Sequence, residues 1–465
     1  MKTTATPVSR WALVAALFLW IAISSIPLPR PTPAPATAPA QNFSAARALN
    51  HVRAMAQKPH PPGTPEHDRV RDYVRDELTK LGLPPEVEAG FSEFTRGRYH
   101  ASANVENLVA RLPGTANTRP VMLVAHYDST PRGPGASDDA HGVAVLLETL
   151  RALGSGPVLR NDVIFLITDG EEKGLLGAIY FMGHHPWRKE PGVVLNFEAR
   201  GTSGNAFMFE TSRGNEWMIR NLQAAVPRAF ATSFAYEVYR RMPNDTDLTV
   251  FKYGGLAGMN FAFIEHPEFY HTPQDSVEHL DPVSLQEQGR YALSLGRQFG
   301  GEDLTERHSG DAVYFPTLFT PLIVYPAGWA VYIAAVTLAA LLAILWVGLG
   351  RRARGTWMAA PMLLLAIAEI LLAAPAPGAS YLLAWPLLAG TIALAILVTA
   401  PQRIEFGWRV GVMVILPVAV FQLLIPLLST LVIALGWKGA APILGAVVLL
   451  MVVCVSPQLA LAKRG

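Results

Sequence analysis

Two kinds of hydrophobic pattern alternate between about residues 42 and 306. Short apolar runs such as NVENLVARL, VMLVAH, VIFLIT and GVVLNF are rich in β-branched residues and predict strands, several of them fully buried. Segments such as HDRVRDYVRDELTKLGL and AHGVAVLLETLRALG have apolar residues three and four positions apart and predict helices. Strands that alternate with helices of this length predict an α/β domain, in which a mixed, largely parallel β-sheet is sandwiched by helices.

From residue 327 onward the pattern changes to long apolar runs. They cover about 327–349, 356–374, 380–400, 409–436 and 441–461. Each is long enough for a helix that crosses a membrane, so the sequence predicts an all-α multi-pass transmembrane region with about five helices. Another apolar run, at 11–27, follows two basic residues, and we interpret it as a retained transmembrane anchor in preference to a cleaved signal peptide.

These patterns divide the chain into five segments. They are an N-terminal anchor at 1–27, a Pro/Ala-rich linker at 28–41, the α/β domain at 42–306, a second linker at 307–326 and the transmembrane region at 327–465. Because loops rich in Lys and Arg stay in the cytoplasm, the basic clusters after the predicted spans place the α/β domain on the opposite side. The Ala-, Pro- and Arg-rich composition favours the periplasmic side of a bacterial inner membrane, and the lumen of the endoplasmic reticulum gives the same topology.

Charge and cysteine content exclude two classes of site. The formal net charge is only +2, so we expect no nucleic-acid partner. The single cysteine, Cys454, lies in a C-terminal apolar run, so the α/β domain has no disulfide and no thiolate metal site. All 12 histidines precede Phe315, so any chemistry that uses histidine belongs to the α/β domain.

Imidazoles and carboxylates follow several of the predicted strands and form the candidate site. The five are His126, Asp138, Glu172, Glu198 and His271. Open α/β sheets carry their sites at the carboxyl ends of the strands, where these side chains would meet. Both residue types are zinc ligands, and a cation is needed to offset the repulsion among the carboxylates. The pattern therefore indicates two zinc ions and the hydrolysis of an amide by an activated water.

Further acids accompany these five residues. Asp128 lies two positions after His126, on the same face of a strand, where it can orient the imidazole. Glu171 precedes Glu172 in TDGEEKG, so one glutamate can bind metal while the other acts as a general base. Taken singly, each of these residues fits an ordinary turn or helix cap equally well. Their combination and order are what predict a metal site.

The motifs HYDS, GASDDAHG, TDGEEKG, NFEARG and YHTPQD resemble the M28 family of zinc aminopeptidases over about residues 45–300. The segment from PNDTDL to YHTPQD is similar to the membrane-bound branch typified by the endoplasmic reticulum metallopeptidase. The resemblance implies an aminopeptidase that acts on peptides and contacts membrane lipid. It also implies two zinc ions per chain.

The resemblance further implies a role for each residue. His126, Asp138 and Glu198 would hold one zinc, and Asp138, Glu172 and His271 the other. Glu171 would be the general base, Asp128 would orient His126, and Tyr270 would help to hold the oxyanion. A cis peptide is implied between Asp138 and Asp139. Glu198 stands where many members have Asp, and this longer carboxylate keeps the charge.

Two other functions fit part of the pattern. A single-zinc acyltransferase that resembles glutaminyl cyclase needs only Asp138, Glu172 and His271, and the intact HYD motif argues against it. An inactive peptidase-like scaffold or receptor would be expected to have lost ligands. The number of bound zinc ions separates the three functions.

Several polar residues have two interpretations. Asp245 and Asp247 either line the substrate pocket or belong to a helix cap with Thr246. We expect His141 to face solvent. Glu369, inside a predicted span, either marks a functional polar site or pairs with a neighbouring helix.

Overall fold

The computed structural model describes residues 30–305, 310–316, 321–350 and 359–382, together with single helical positions at 384, 387 and 391. The chain divides into two units, Pro29–Ala327 and a second one made of Met1–Leu28 and Gly328–Gly465. The predicted anchor at 11–27 and the predicted spans at 409–436 and 441–461 lie outside the described residues.

Strands and helices alternate through the first unit. The strands are β1 (Glu86–Arg96), β2 (Tyr99–Leu112), β3 (Val121–His126), β4 (Val163–Thr168), β5 (Val193–Ala199), β6 (Phe207–Thr211), β7 (Phe230–Ala231), β8 (Gly258–Phe263), β9 (Ala312–Phe315) and β10 (Ile323–Pro326). The helices are α1 (Ala45–Met55), α2 (Pro65–Lys80), α3 (His141–Gly154), α4 (Leu176–His184), α5 (Glu216–Ala225), α6 (Ser233–Tyr239), α7 (Asp247–Tyr253) and α8 (Pro282–Gly301).

Eight of these strands form one sheet in the order β1-β2-β4-β3-β5-β8-β6-β7. The four central strands, β4, β3, β5 and β8, are parallel to one another. Strands β2 and β6 pair antiparallel on either side of them, and β1 forms a long antiparallel hairpin with β2. The prediction of a mixed, largely parallel sheet is confirmed.

Helices cover both faces of the sheet. Every residue of the four central strands is buried, as in parallel sheets that are packed on two sides. Leu123 and Phe165 pack on one face, in a core that also contains side chains of α1, α3 and α8. Met122 and Ile164 point to the other face, where they meet side chains of α4 and α7.

The two segments predicted as linkers pack against the α/β domain where they are described. Arg30 donates from Nη2 to the carbonyl oxygen of Gly204 at 2.7 Å, and its Nη1 lies 3.1 Å from a carboxylate oxygen of Asp281. Strands β9 and β10 pair antiparallel, and the backbone N–H of Ala312 donates to the side chain of Asn215 at 2.8 Å. Residues 30–41, 312–316 and 321–326 thus extend the surface of this domain.

The second unit contains α9 (Trp329–Gly350) and α10 (Ala359–Ala373), which pack together through small side chains such as Ala334 and Ala373. Of the helices that the structure describes, none is both long enough and apolar enough to cross a membrane. The multi-pass region therefore stays a prediction. Glu369 is buried in α10, and its carboxylate accepts no hydrogen bond from the described part of the chain.

Candidate metal centre

The predicted ligands lie along one edge of the sheet because each follows, or ends, a parallel strand. His126 is the last residue of β3 and pairs in register with Thr168, the last residue of β4. Glu172 belongs to a short 3-10 turn that begins three residues after β4, and Glu198 is the penultimate residue of β5. His271 follows the loop after β8 and adopts a left-handed backbone conformation with φ 57°. The sheet therefore brings together residues that are far apart in sequence.

Asp138 is the centre of this arrangement. Its Oδ1 lies 3.2 Å from Nε2 of His126, and its Oδ2 lies 3.0 Å from Nε2 of His271. The two oxygens of one carboxylate thus face two different imidazoles. The backbone N–H groups of Ser137 and Asp138 donate to the carboxylate of Asp275, which fixes the loop that presents Asp138. A carboxylate placed in this way can bridge two metal ions.

Two groups of side chains offer ligand atoms within 4.8 Å of one another. One group is Asp138, Glu172 and His271, and the other is His126, Asp139 and Glu198. The oxygens of Asp139 are already engaged, because they accept hydrogen bonds from the backbone N–H groups of His126 and Gly142, each at 3.1 Å. Asp138 is therefore the better third ligand beside His126 and Glu198. The peptide bond between Asp138 and Asp139 is cis, as the family resemblance implies.

The imidazole of His126 is set up to bind metal through Nε2. Its Nδ1 lies 3.0 Å from the backbone carbonyl oxygen of Asp128, to which it can donate only if that nitrogen carries the proton. In the neutral ring Nε2 is then unprotonated, and it faces Asp138 and Glu198, with 3.6 Å to an oxygen of Glu198. Such outer hydrogen bonds fix the tautomer of zinc-binding histidines.

The buried carboxylates of the site repel one another, and a bound cation would offset that repulsion. Burial, and then repulsion from Asp138, raise the pKa of Glu172 to about 8. Burial likewise raises the pKa of Glu198 to about 7. Burial opposes a charge on His271, but its contacts with Asp138 and Glu172 prevail and raise its pKa to about 10. Bound metal would stabilise the ionised carboxylates and displace the imidazole proton, so the donor set fits zinc.

Asp128 contacts both halves of the site. Its Oδ1 lies 3.3 Å from Nδ1 of His126. The same oxygen accepts from the backbone N–H of Glu171 at 3.0 Å, and Oδ2 accepts from that of Glu172 at 3.3 Å. The buried carboxylate of Asp128 thereby fixes the imidazole of His126 relative to the turn that carries Glu171 and Glu172.

A cleft of about 320 Å³ opens beside Glu171. Its lining residues are Phe94, Arg96, Tyr99, Glu171, Glu172, Gly174, Leu175, Asp245 and Tyr270. Withdrawal from water, with repulsion from Glu198 and Glu172, raises the pKa of Glu171 well above its usual range. The ring of Tyr270 stacks on that of His271 with centroids 3.7 Å apart. Burial and nearby acids also raise the pKa of Tyr270, which keeps its hydroxyl protonated as a hydrogen-bond donor.

The structure also places His141, Asp245 and Asp247. The expectation that His141 faces solvent is wrong, because it begins α3 inside the sheet packing and its ring lies 4.6 Å from that of Phe263. Asp245 lines the cleft and pairs with Arg96. Asp247 is buried at the start of α7 and accepts a hydrogen bond from the hydroxyl of Thr168.

Sequence reasoning missed two features of the site. Asp275 ends the YHTPQD motif, and its place in that motif was the available signal for its contact with the Asp138 loop. The tip of the β1–β2 hairpin supplies Phe94, Arg96 and Tyr99 to the cleft. No local pattern links this hairpin to Glu171, more than 70 residues later, because the contact depends on the tertiary fold.

Comparison with known proteins agrees with this geometry. Residues 107–296 match the family model described as peptidase family M28. The chain carries a peptidase family M28 domain. The matched region includes every predicted metal ligand.

Curated relatives of the M28 domain are membrane-associated proteases. Endoplasmic reticulum metallopeptidase 1 of Rattus norvegicus is 29% identical over 351 residues, which cover 70% of this chain and 39% of the relative. The vacuolar membrane protease of Candida albicans is 34% identical over 239 residues, or 50% of this chain and 28% of the relative. The chain therefore spans well under half the length of these relatives.

Solved structures with similar coordinates share little sequence with the M28 domain. An aminopeptidase from Aneurinibacillus sp. strain AM-1 is 14% identical with a TM-score of 0.46, and the match covers 55% of this chain and 94% of that one. Glutaminyl cyclase from Porphyromonas gingivalis is 23% identical with a TM-score of 0.45, covering 55% and 99%. Likenesses at this level do not separate the two activities.

Proposed function

We propose that this protein is a membrane-anchored di-zinc aminopeptidase that releases N-terminal residues from peptides. The observation that carries the proposal is Asp138, whose two carboxylate oxygens face His126 and His271 separately. A single-zinc acyltransferase has no use for the first of these contacts. The proposed ligands are His126, Asp138 and Glu198 for one ion and Asp138, Glu172 and His271 for the other.

The side chains around the cleft can be assigned to the steps of amide hydrolysis. Bound zinc would polarise the substrate carbonyl and make a water molecule acidic at neutral pH. Glu171 lines the cleft, where its carboxylate can take a proton from the attacking water and deliver it to the leaving amine. The hydroxyl of Tyr270 donates to the carbonyl oxygen as negative charge develops there. Asp128 keeps the backbone of Glu171 in place throughout.

The β1–β2 hairpin forms one fixed wall of the cleft, which supports removal of terminal residues. The hairpin tip is anchored by Tyr99, whose hydroxyl donates to the carbonyl oxygen of Lys173 at 3.1 Å, and by the pairing of Arg96 with Asp245. Phe94 packs against Gly174, where even an added Cβ would lie 2.9 Å from its ring. A wall fixed at three points beside Glu171 leaves room for one residue more readily than for a continuous chain.

Similarity to a vacuolar membrane protease supports attachment to a membrane. We propose that the apolar runs after residue 327 and at 11–27 cross the membrane and hold the M28 domain outside the cytoplasm, on the periplasmic side of a bacterial inner membrane. Peptides on that side would be the substrates.

A peptidase assay on the purified full chain tests this function. Peptides with a free N-terminus and their acetylated forms are incubated with and without a chelator. We expect release of the first residue from the free peptides only, and loss of that activity with the chelator. Equal cleavage of both forms, or cuts within a long peptide, would indicate an endopeptidase instead. Cyclisation of an N-terminal glutamine would indicate the acyltransferase.

A further inference from the structure

Arg200 lies over the ring of Tyr270, a residue that lines the cleft, and has no assigned role. It follows β5 directly, two residues after the proposed ligand Glu198. Its side chain is exposed, and its guanidinium carbon lies 5.3 Å from the centre of the Tyr270 ring. His271 stacks on the same ring at 3.7 Å, so the guanidinium takes the opposite face. Arg200 is therefore one side chain away from the proposed zinc site.

Among the arginines near the cleft, the guanidinium of Arg200 has no acceptor within the described ranges, unlike that of Arg96. Arg111 pairs with Asp162 and Glu190, and Arg96 pairs with Asp245. Within the described ranges, no carboxylate or carbonyl oxygen accepts a hydrogen bond from the guanidinium of Arg200, although several acids lie near Tyr270. A guanidinium offers five N–H donors in a planar fork that matches a carboxylate.

We propose that Arg200 binds the C-terminal carboxylate of the substrate, so that the enzyme acts preferentially on di- and tripeptides. This inference rests on the proposed peptidase function. Tyr270 marks the position of the scissile carbonyl, and each further residue of an extended peptide adds about 3.3–3.6 Å. A guanidinium held over the Tyr270 ring is thus within reach of a carboxylate one or two residues beyond the cleaved bond. Bidentate pairing would then fix the peptide in register.

A structural role for Arg200 makes a different prediction. If Arg200 only braced Tyr270, its loss would impair every substrate to the same degree. If it binds the carboxylate, the loss depends on whether the substrate has one. A substrate and its C-terminal amide have the same side chains and the same scissile bond. The difference between their kcat/KM values therefore measures the effect of the carboxylate alone.

The test measures kcat/KM of the purified full chain for a dipeptide and for its C-terminal amide, with wild type, Arg200→Gln and Arg200→Lys. We expect wild type to prefer the free acid about 10- to 100-fold, the usual effect of a charged hydrogen-bonded pair. Arg200→Gln should lose most of that preference through a higher KM for the acid, while hydrolysis of the amide stays within about threefold. Arg200→Lys should retain part of it.

Arg228→Gln serves as the matched control, because Arg228 is an exposed arginine on the connection between α5 and β7. It should leave both substrates unaffected. Equal hydrolysis of acid and amide by wild type, or an equal loss for both in Arg200→Gln, would overturn the proposal. If no peptide is cleaved in a chelator-sensitive way, the peptidase function itself fails, which is a distinct result.

Discussion

Two adjacent glutamates illustrate how position alone can separate chemical roles. Glu171 and Glu172 share one 3-10 turn, and the carboxylate of Asp128 accepts from both of their backbone N–H groups. The carboxylate of Glu172 lies 3.1 Å from His271, within the ligand cluster. Glu171 belongs to neither ligand group and lines the cleft. The turn thus presents one carboxylate to metal and the other to substrate.

This division predicts different losses for the two residues. Glu171→Gln should keep both zinc ions and lower kcat by about 10²–10⁴-fold, because only proton transfer is removed. Glu172→Gln, an equally small change one position away, should lose zinc. Metal analysis beside steady-state kinetics checks both variants. Zinc loss in Glu171→Gln, or activity within threefold of wild type, would contradict the assignment of the general base.

The sequence predicted the five metal ligands, but it did not predict every residue that packs around them. The five ligands could be found because each sits in a short polar motif after an apolar run. His141 was misjudged because its neighbours are polar and small, while its burial depends on Phe263, more than 100 residues away. Contacts between distant strands have no local signature.

The element that shapes the cleft is the β1–β2 hairpin. The sequence predicts the apolar run in β2 as β-rich but does not predict β1. In β1 the buried positions include the polar Glu88 and Ser92, whereas Phe91 is exposed, so no apolar face marks the strand. The pairing of the two strands carries Phe94 and Tyr99 over the turn of Glu171. The hairpin thereby places side chains of a surface strand beside the candidate catalytic residue Glu171.

Opening this wall should weaken the selectivity for free N-termini. Phe94→Ala combined with Tyr99→Ala removes two aromatic side chains from the cleft, so a blocked or longer chain can enter. We expect the preference for a free over an acetylated peptide to fall at least about tenfold, the order of one lost apolar contact in a binding pocket. Val87→Ala, an exposed site elsewhere in β1, is the control. An unchanged preference would remove the hairpin from this role.

For the whole domain, the acidic cluster links metal to stability. The folded pKa values of Glu172 and Glu198, about 8 and about 7, exceed the 4.5 of an unperturbed glutamate. His271, at about 10, also exceeds its ordinary 6.5. In all three cases the folded protein binds protons more tightly than the unfolded chain. Raising the pH from 5 to 8 therefore favours unfolding of the metal-free protein.

We accordingly expect the Tm of chelator-treated protein to fall between pH 5 and pH 8, and that of zinc-loaded protein to change less. In the metal-free protein, bound protons relieve the repulsion among the carboxylates. In the zinc-loaded protein the charge of the metal relieves it instead, so the carboxylates stay ionised over this pH range. Metal-free Glu172→Gln should show a weaker pH dependence than metal-free wild type. Thermal unfolding followed by circular dichroism provides the comparison, and a metal-free Tm that rises over this range would run against the account.

The zinc content of the purified full chain tests the central claim most directly, because two ions require every ligand assigned here. Wild type should contain about two zinc ions per chain, and His126→Ala and His271→Ala should each contain about one, since Asp138 still serves the remaining site. His184→Ala, a change at an exposed histidine that ends α4, should retain both. A wild-type protein that is folded and active with one zinc ion, or with none, would contradict the account.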